Sequence, residues 1–207
     1  IQKISFINYD FYQKVFNRSE VKDVTIVDID EKSIAKIGQF PWRRDIYSKI
    51  LKNLNLHDPK AIAFDIVFSE EDKQNPKDLL SKLQVEINQI IDIDVIDTNK
   101  IFINSIKNSK VILPILGEPK DNFVKNNSKP KLKIIAKGEN PKNFIYKFKN
   151  KIISLEEISS AASGIGSISL IQGIDGVIRS VPVLYNIDDK IWPSLALETV
   201  RIATGQK

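Results

Sequence analysis

The sequence predicts an α/β domain with a mixed, partly parallel sheet flanked by helices and a C-terminal antiparallel hairpin. Three observations predict it. Two short runs, Val24–Asp30 and Ala61–Glu70, are apolar at consecutive positions, as strands covered on both faces must be. Between them Ile46, Tyr47, Ile50, Leu51 and Leu54 recur at helical spacing, so the unit reads as strand, crossover helix and parallel strand, a connection that is almost always right-handed. Late in the chain, Asp175-Gly176 separates Gly164–Gln172 from Val177–Tyr185, the signature of a tight hairpin turn.

The elements follow in order. Ile4, Phe6, Ile7, Phe11, Val15 and Phe16 make Ile1–Arg18 one amphipathic helix, expected to cover an edge of the sheet. After the first strand a short helical turn runs from Glu31 to Ile37 and stops at Gly38. Asp45 favours the start of the crossover helix, which should reach about Asn55 and leave His57 near its C-terminal end as a surface residue. Asn75-Pro76 reads as a cap with proline in the first turn, followed by a stripe of Leu79, Leu80, Leu83, Ile87, Ile90 and Ile91. A further helix begins at Asp97 and leads to a third buried strand, Lys110–Pro114, where proline marks the end of pairing. Leu132, Ile134 and Ala136, then Phe144, Tyr146 and Phe148, alternate with polar positions around a turn at Gly138–Pro141, so a two-stranded excursion is expected. Ile152–Ala162 forms a helix with Ser154 and Glu157 in capping-box spacing, and Pro193 opens a last helix ended by Gly205.

Composition bounds the chemistry. The 207 residues suffice for one domain spanning 1–207. With no cysteine and one histidine, thiolate and histidine-cluster metal sites are ruled out, and no cofactor is expected. The net charge of +5 is uneven: residues 118–151 carry ten lysines against three acids, which leaves the remainder about −2. These lysines sit among Asn, Pro and Gly, which reads as a solvated excursion and argues against a nucleic-acid partner. No apolar run approaches the ~20 residues that span a bilayer. Starting at Ile1 and lacking methionine throughout, the chain reads as a processed or excised piece.

Ligands of an open sheet sit beyond the carboxyl ends of its strands. The predicted topology brings Asp28, Asp30, Asp65 and Glu70 to that rim, with Trp42, Arg43 and Arg44 entering from the crossover. Arg179 belongs with them, because a guanidinium on the otherwise apolar face of Val177, Val181, Val183 and Tyr185 needs an acidic partner. These eight residues are the candidate ligand-binding set; the plainer account is that they pair with one another to fix loop geometry. No phosphate loop, dinucleotide fingerprint or serine elbow occurs. Asp28-Ile29-Asp30 resembles the nucleophile motif of haloacid-dehalogenase-type phosphatases, so a magnesium-dependent phosphohydrolase is the enzymatic alternative, although Lys32 stands where that motif usually has Thr or Val. A structural dimerisation module is the third reading.

Taken together, Asn8-Tyr9-Asp10, Val27–Asp30 with Ser33 and Gly38, Pro41–Arg44, Ala61–Glu70, Val111–Pro114, Gly166–Ile168, Asp175–Arg179 and Pro193–Leu197 resemble, in order and spacing, the second type of CHASE domain, the cyclase and histidine-kinase associated sensory extracellular domain. The resemblance implies a non-catalytic sensory module on the outer side of an inner or plasma membrane, reached after one transmembrane helix and followed by several more. It further implies a bacterial receptor with nucleotide cyclase, histidine kinase or Ser/Thr kinase output. An unknown small-molecule or protein signal and a homodimer complete the expectation.

Overall fold

The computed structural model describes residues 2–16, 23–82, 96–119 and 126–206. The fold is mixed α/β, in two compact units, Ile1–Phe40 and Pro41–Lys207. Leu83, Ile87, Ile90 and Ile91 of the expected stripe lie outside the described residues.

The first unit holds α1 (Gln2–Val15) and α2 (Glu31–Ile37), both as the sequence predicts. Asp30 is the N-cap of α2, and Gly38 ends it at φ 116°, a region that disfavours any residue with a Cβ. On the apolar side of α1, Ile7, Phe11 and Val15 are more than half exposed. Val24–Asp30 is the larger correction. It forms no strand, and Val24, Ile26 and Val27 are 66%, 87% and 62% exposed. Apolar residues on both faces define a buried strand only where neighbours bond both edges, and here none does among the described residues.

The second unit contains α3 (Arg44–Asn55), β1 (Ile62–Ala63), α4 (Pro76–Lys82), α5 (Thr98–Lys107) and β2 (Val111–Glu118). It continues with β3 (Lys147–Phe148), β4 (Asn150–Ile153), α6 (Glu156–Ala161), β5 (Gly164–Ser167), β6 (Leu184–Ile187), β7 (Lys190–Pro193) and α7 (Leu195–Ala203). The first sheet is built around β2, which pairs in parallel with β1 and β5 and antiparallel with β4. The parallel partner of the Ala61–Glu70 run is therefore β2, at Ile62 with Val111 and Ala63 with Ile112.

Pro114 does not end β2; the strand runs on to Glu118. The carbonyls of Lys110 and Ile112 accept from Ile62 and Phe64, so even-numbered residues turn their backbone groups toward β1. On that flank β1 reaches only Ile112 and β4 begins only at Ile115, so the N–H that proline lacks falls in the gap between two partners.

In the second sheet β6 lies between β3, parallel, and β7, antiparallel. The C-terminal hairpin is therefore β6–β7, and its two-residue turn is Asp188-Asp189, both at positive φ (53° and 55°) as a type I′ turn requires. Asp175-Gly176 does make a tight loop, with Gly173 N–H on the Val177 carbonyl at 3.0 Å, but the chain on either side of it does not pair. The expected excursion hairpin is also absent: Leu132–Ala136 forms no strand, and Lys147–Phe148 pairs with β6 instead.

Two clusters make the core. Tyr47 of α3, Phe64, Phe68 and Phe102 of α5 pack largely edge to face, with centroids 4.9–6.5 Å apart. Ile115, Ile153, Ile165, Tyr185, Ile187 and Trp192 form the other, with Phe148 against it. Helix α7 lies directly on β5, and a Cβ at Gly166 would stand 2.6 Å from Leu195 Cα. Ser154 is not the cap of α6; its hydroxyl accepts from Phe68 N–H at 3.0 Å and fastens the end of the β1 segment instead.

Candidate functional site

The lead-in Pro41-Trp42-Arg43-Arg44 delivers two arginines to the start of α3, and their environments diverge. Arg43 points outward and grips Asp45 with two parallel bonds, Nε to Oδ1 at 2.6 Å and Nη2 to Oδ2 at 2.9 Å. That bidentate pair holds the Asp45 carboxyl below its ordinary value and raises Arg43.

Arg44 turns inward and is 8% exposed. Its guanidinium carbon sits 4.5 Å over the Phe68 ring, and Nη2 donates to the Glu70 carbonyl at 2.7 Å. Its Nε finds no acceptor among the described residues. Burial pulls this guanidinium below its ordinary value, and the charge of nearby Asp72 opposes the pull.

Asp72 is the residue that joins these parts. Helix α3 has no side-chain cap of its own at Arg43; one Asp72 oxygen takes that place, accepting Arg44 N–H at 2.9 Å and the Thr98 hydroxyl at 2.7 Å. Its other oxygen accepts Gln74 N–H at 3.0 Å. Asn75 continues the network: its side-chain oxygen accepts Thr98 N–H at 3.1 Å while its amide donates to Asp78 and Asp97. Asp97 caps α5 at Lys100 N–H and pairs with Lys77 at 3.2 Å. Burial pushes its carboxyl up, but these bonds outweigh that and hold it below the ordinary value. One buried polar knot thus ties α3, the Glu70–Asn75 loop, α4 and α5 above the aromatic cluster.

Of the eight predicted site residues, Trp42, Arg43, Arg44 and Glu70 belong to this region. Trp42 is buried against Tyr47, with ring centroids 6.4 Å apart, and the exposed Glu70 carboxylate pairs with Lys73 at 2.9 Å. Asp65 is exposed on the segment that continues β1. Arg179 meets its acid locally, Nη1 and Nη2 on Asp175 at 3.0 and 2.8 Å. Asp28 and Asp30 belong to the first unit: Asp28 is exposed, and Asp30 accepts the N–H and hydroxyl of Ser33 at 2.9 and 2.7 Å, which lowers its carboxyl. Neither stands at the tip of a buried strand, the placement on which the phosphohydrolase reading depends.

Asp72 and Thr98 escaped the sequence reading; one acid in Glu70-Glu71-Asp72 has no local mark that sets it apart. Asn75 and Asp97 carried a signal, but only as caps. No group of three or more His, Asp or Glu placed to hold a metal occurs among the described residues. Two shallow grooves are open on the second unit. One, of about 430 Å³, is lined by Lys129, Leu132, Ile134, Lys190 and Ile191; the other, of about 370 Å³, by Phe144, Tyr146, Val181, Val183 and their neighbours. None of the eight residues lines either.

No curated protein and no solved structure matches this chain. The family model of the CHASE2 domain matches residues 1–207, the full length. The chain therefore belongs to the CHASE2 family, extracellular sensory domains found in cyclases and kinases.

Proposed function

We propose that this chain is the extracytoplasmic, non-catalytic input domain of a bacterial membrane receptor. It is held to an inner or plasma membrane by transmembrane helices outside residues 1–207, with a nucleotide cyclase, histidine kinase or Ser/Thr kinase as output. A small-molecule or protein signal acts on the rim formed by Arg43, Arg44 and Glu70. The observation that carries this reading is the buried Arg44 guanidinium, which bonds the Glu70 carbonyl, lies on Phe68, and has one donor that no described residue takes. A ligand that takes that donor, or draws Glu70 away from it, changes how the 70–75 loop sits on α3 and α5. Such a change moves an equilibrium only if the ligand binds the two arrangements with different affinity.

The absence of cysteine makes the location directly testable. A Leu56→Cys substitution, at a position 78% exposed, places a single thiol on the domain within the intact receptor. A membrane-impermeant maleimide labels it in whole cells if the domain faces outward. Labelling that appears only after lysis overturns the proposal. The rim has its own test: Arg44→Met shifts receptor output, and an output identical to wild type across all conditions removes Arg44 from the signal path.

We also place the homodimer contact on α1, where Ile7, Phe11 and Val15 form an exposed stripe at four-residue spacing. Light scattering of the chain should show a dimer that Phe11→Asp dissociates. A monomer at all concentrations refutes it.

A further inference from the structure

The lysine-rich stretch divides into two sets. Among its described residues, Lys131, Lys142 and Lys151 are engaged by the fold. Lys131 donates to the carbonyls of Ser160 and Ala162 at the end of α6, Lys142 holds Asp189 at 3.0 Å, and the buried Lys151 holds Asp188 at 2.9 Å. Lys129, Lys133, Lys137, Lys147 and Lys149 are exposed and form no ion pair among the described residues. The only acid in residues 126–151 is Glu139. No carboxylate among the described residues holds any of the five in an ion pair, and of them Lys147 acts on the fold only through its charge, which helps lower the Asp189 carboxyl.

The same stretch exposes large apolar side chains. Phe144 is 72% and Tyr146 54% exposed, and both line the groove they share with Val181 and Val183, themselves 54% and 58% exposed. A face that only needed to be soluble would carry lysine without an aromatic rim. Unpaired lysines beside exposed aromatics are what an anionic lipid surface recognises: rings enter at headgroup depth while long cationic chains reach the phosphates. Nucleic acid fits less well, because residues 118–151 contain no arginine to grip phosphate bidentately.

We propose that Phe144, Tyr146, Val181 and Val183, with the adjoining Lys147 and Lys149, form a docking surface for an anionic membrane. The surface does not depend on the sensory assignment, since it requires only this chain and a bilayer. In flotation assays the 207-residue chain should rise with vesicles containing about a third phosphatidylglycerol and stay behind with pure phosphatidylcholine. Added salt should weaken the binding. Each lysine near such a surface contributes about 1 kcal/mol, or roughly fivefold. Lys147→Gln with Lys149→Gln should therefore cut partitioning at least about tenfold. Phe144→Ser should reduce it while leaving the salt dependence as it was. Both are surface changes, and an unaltered urea midpoint shows that the fold is intact. Three outcomes overturn the proposal: no partitioning, partitioning indifferent to lipid charge, or binding to a soluble polyanion such as heparin that is as tight as to vesicles and insensitive to Phe144→Ser.

Discussion

Replacing Asp72 by alanine should destabilise the second unit by about 3–4 kcal/mol, and the figure follows from what its carboxylate touches. The oxygen shared by Arg44 N–H and the Thr98 hydroxyl is the cap of α3 and the tether of α5. Loss of a helix cap costs about 1 kcal/mol. A buried hydroxyl left without its partner costs about 1 more. The remainder comes from Arg44, 8% exposed, whose buried charge loses the nearest opposing one. Breaking a buried contact pair costs about 3–5 kcal/mol. Here no direct bond joins the guanidinium to the carboxylate, and the Glu70 carbonyl and Phe68 ring remain, so about 1–2 kcal/mol is the fitting share.

Urea unfolding followed at the tryptophans, both buried, measures the sum. Asp72→Asn separates the parts, because it preserves an acceptor for Arg44 N–H and Thr98 while removing the charge and one bond to Gln74; about 1–2 kcal/mol is expected. In an Arg44→Met background, Asp72→Ala should cost about 1–2 kcal/mol less than in the wild type. If Asp72→Ala costs under about 1 kcal/mol, or costs the same with and without the arginine, the polar knot does not hold these helices together.

Two further predictions rest on separate features. Gly166→Ala should destabilise by about 1–3 kcal/mol, since the new methyl meets Leu195 backbone at 2.6 Å and β5 must part from α7; a neutral change in unfolding midpoint counts against that contact. The Arg179 guanidinium on Asp175 holds its carboxyl at about 2, below the ordinary 3.8. A depressed carboxylate stabilises fully above its unfolded value and loses that contribution as pH falls through the folded one, so the loop at 173–179 should loosen between about pH 4 and 2. Carbon-detected titration of Asp175 should return to the ordinary range in Arg179→Met, and an unchanged value excludes the pair as the cause.

Helices were more legible in the sequence than strands, for a physical reason. α2, α5 and α7 carry start or stop signals locally: Asp30, Gly38, Asp97 and Ser194 act on backbone groups three or four residues away, whereas α3 takes its cap from Asp72, 28 residues on. A strand is completed by partners far along the chain. Val24–Asp30 has the composition of a covered strand, yet composition does not supply the neighbour. The hairpin shows the same limit from the other side. Asp175-Gly176 is a good turn without paired strands, whereas Asp188-Asp189 turns a real hairpin without a glycine. Two adjacent acids at positive φ give no local signal; they are held by Lys151 and Lys142, which arrive from residues 37 and 47 positions away. At the site, the start of α3 and its arginine pair were legible as chemistry, but the split between an outward Arg43 and an inward Arg44 depends on Asp45 and Asp72, and only Asp45 is a neighbour in sequence.

Seven acids of the described residues hold backbone groups or cations in place. Asp30, Asp72 and Asp97 satisfy helix N-termini, Asp45 and Asp175 hold arginines, and Asp188 and Asp189 anchor lysines. A carboxylate already bonded in this way is a poor nucleophile or general base, because its lone pairs are occupied and its basicity is lowered. Among the described residues Arg44 has a donor left over, its Nε, beside its bond to the Glu70 carbonyl at the head of a loop. The signal proposed above would find there a buried donor that no described residue already holds.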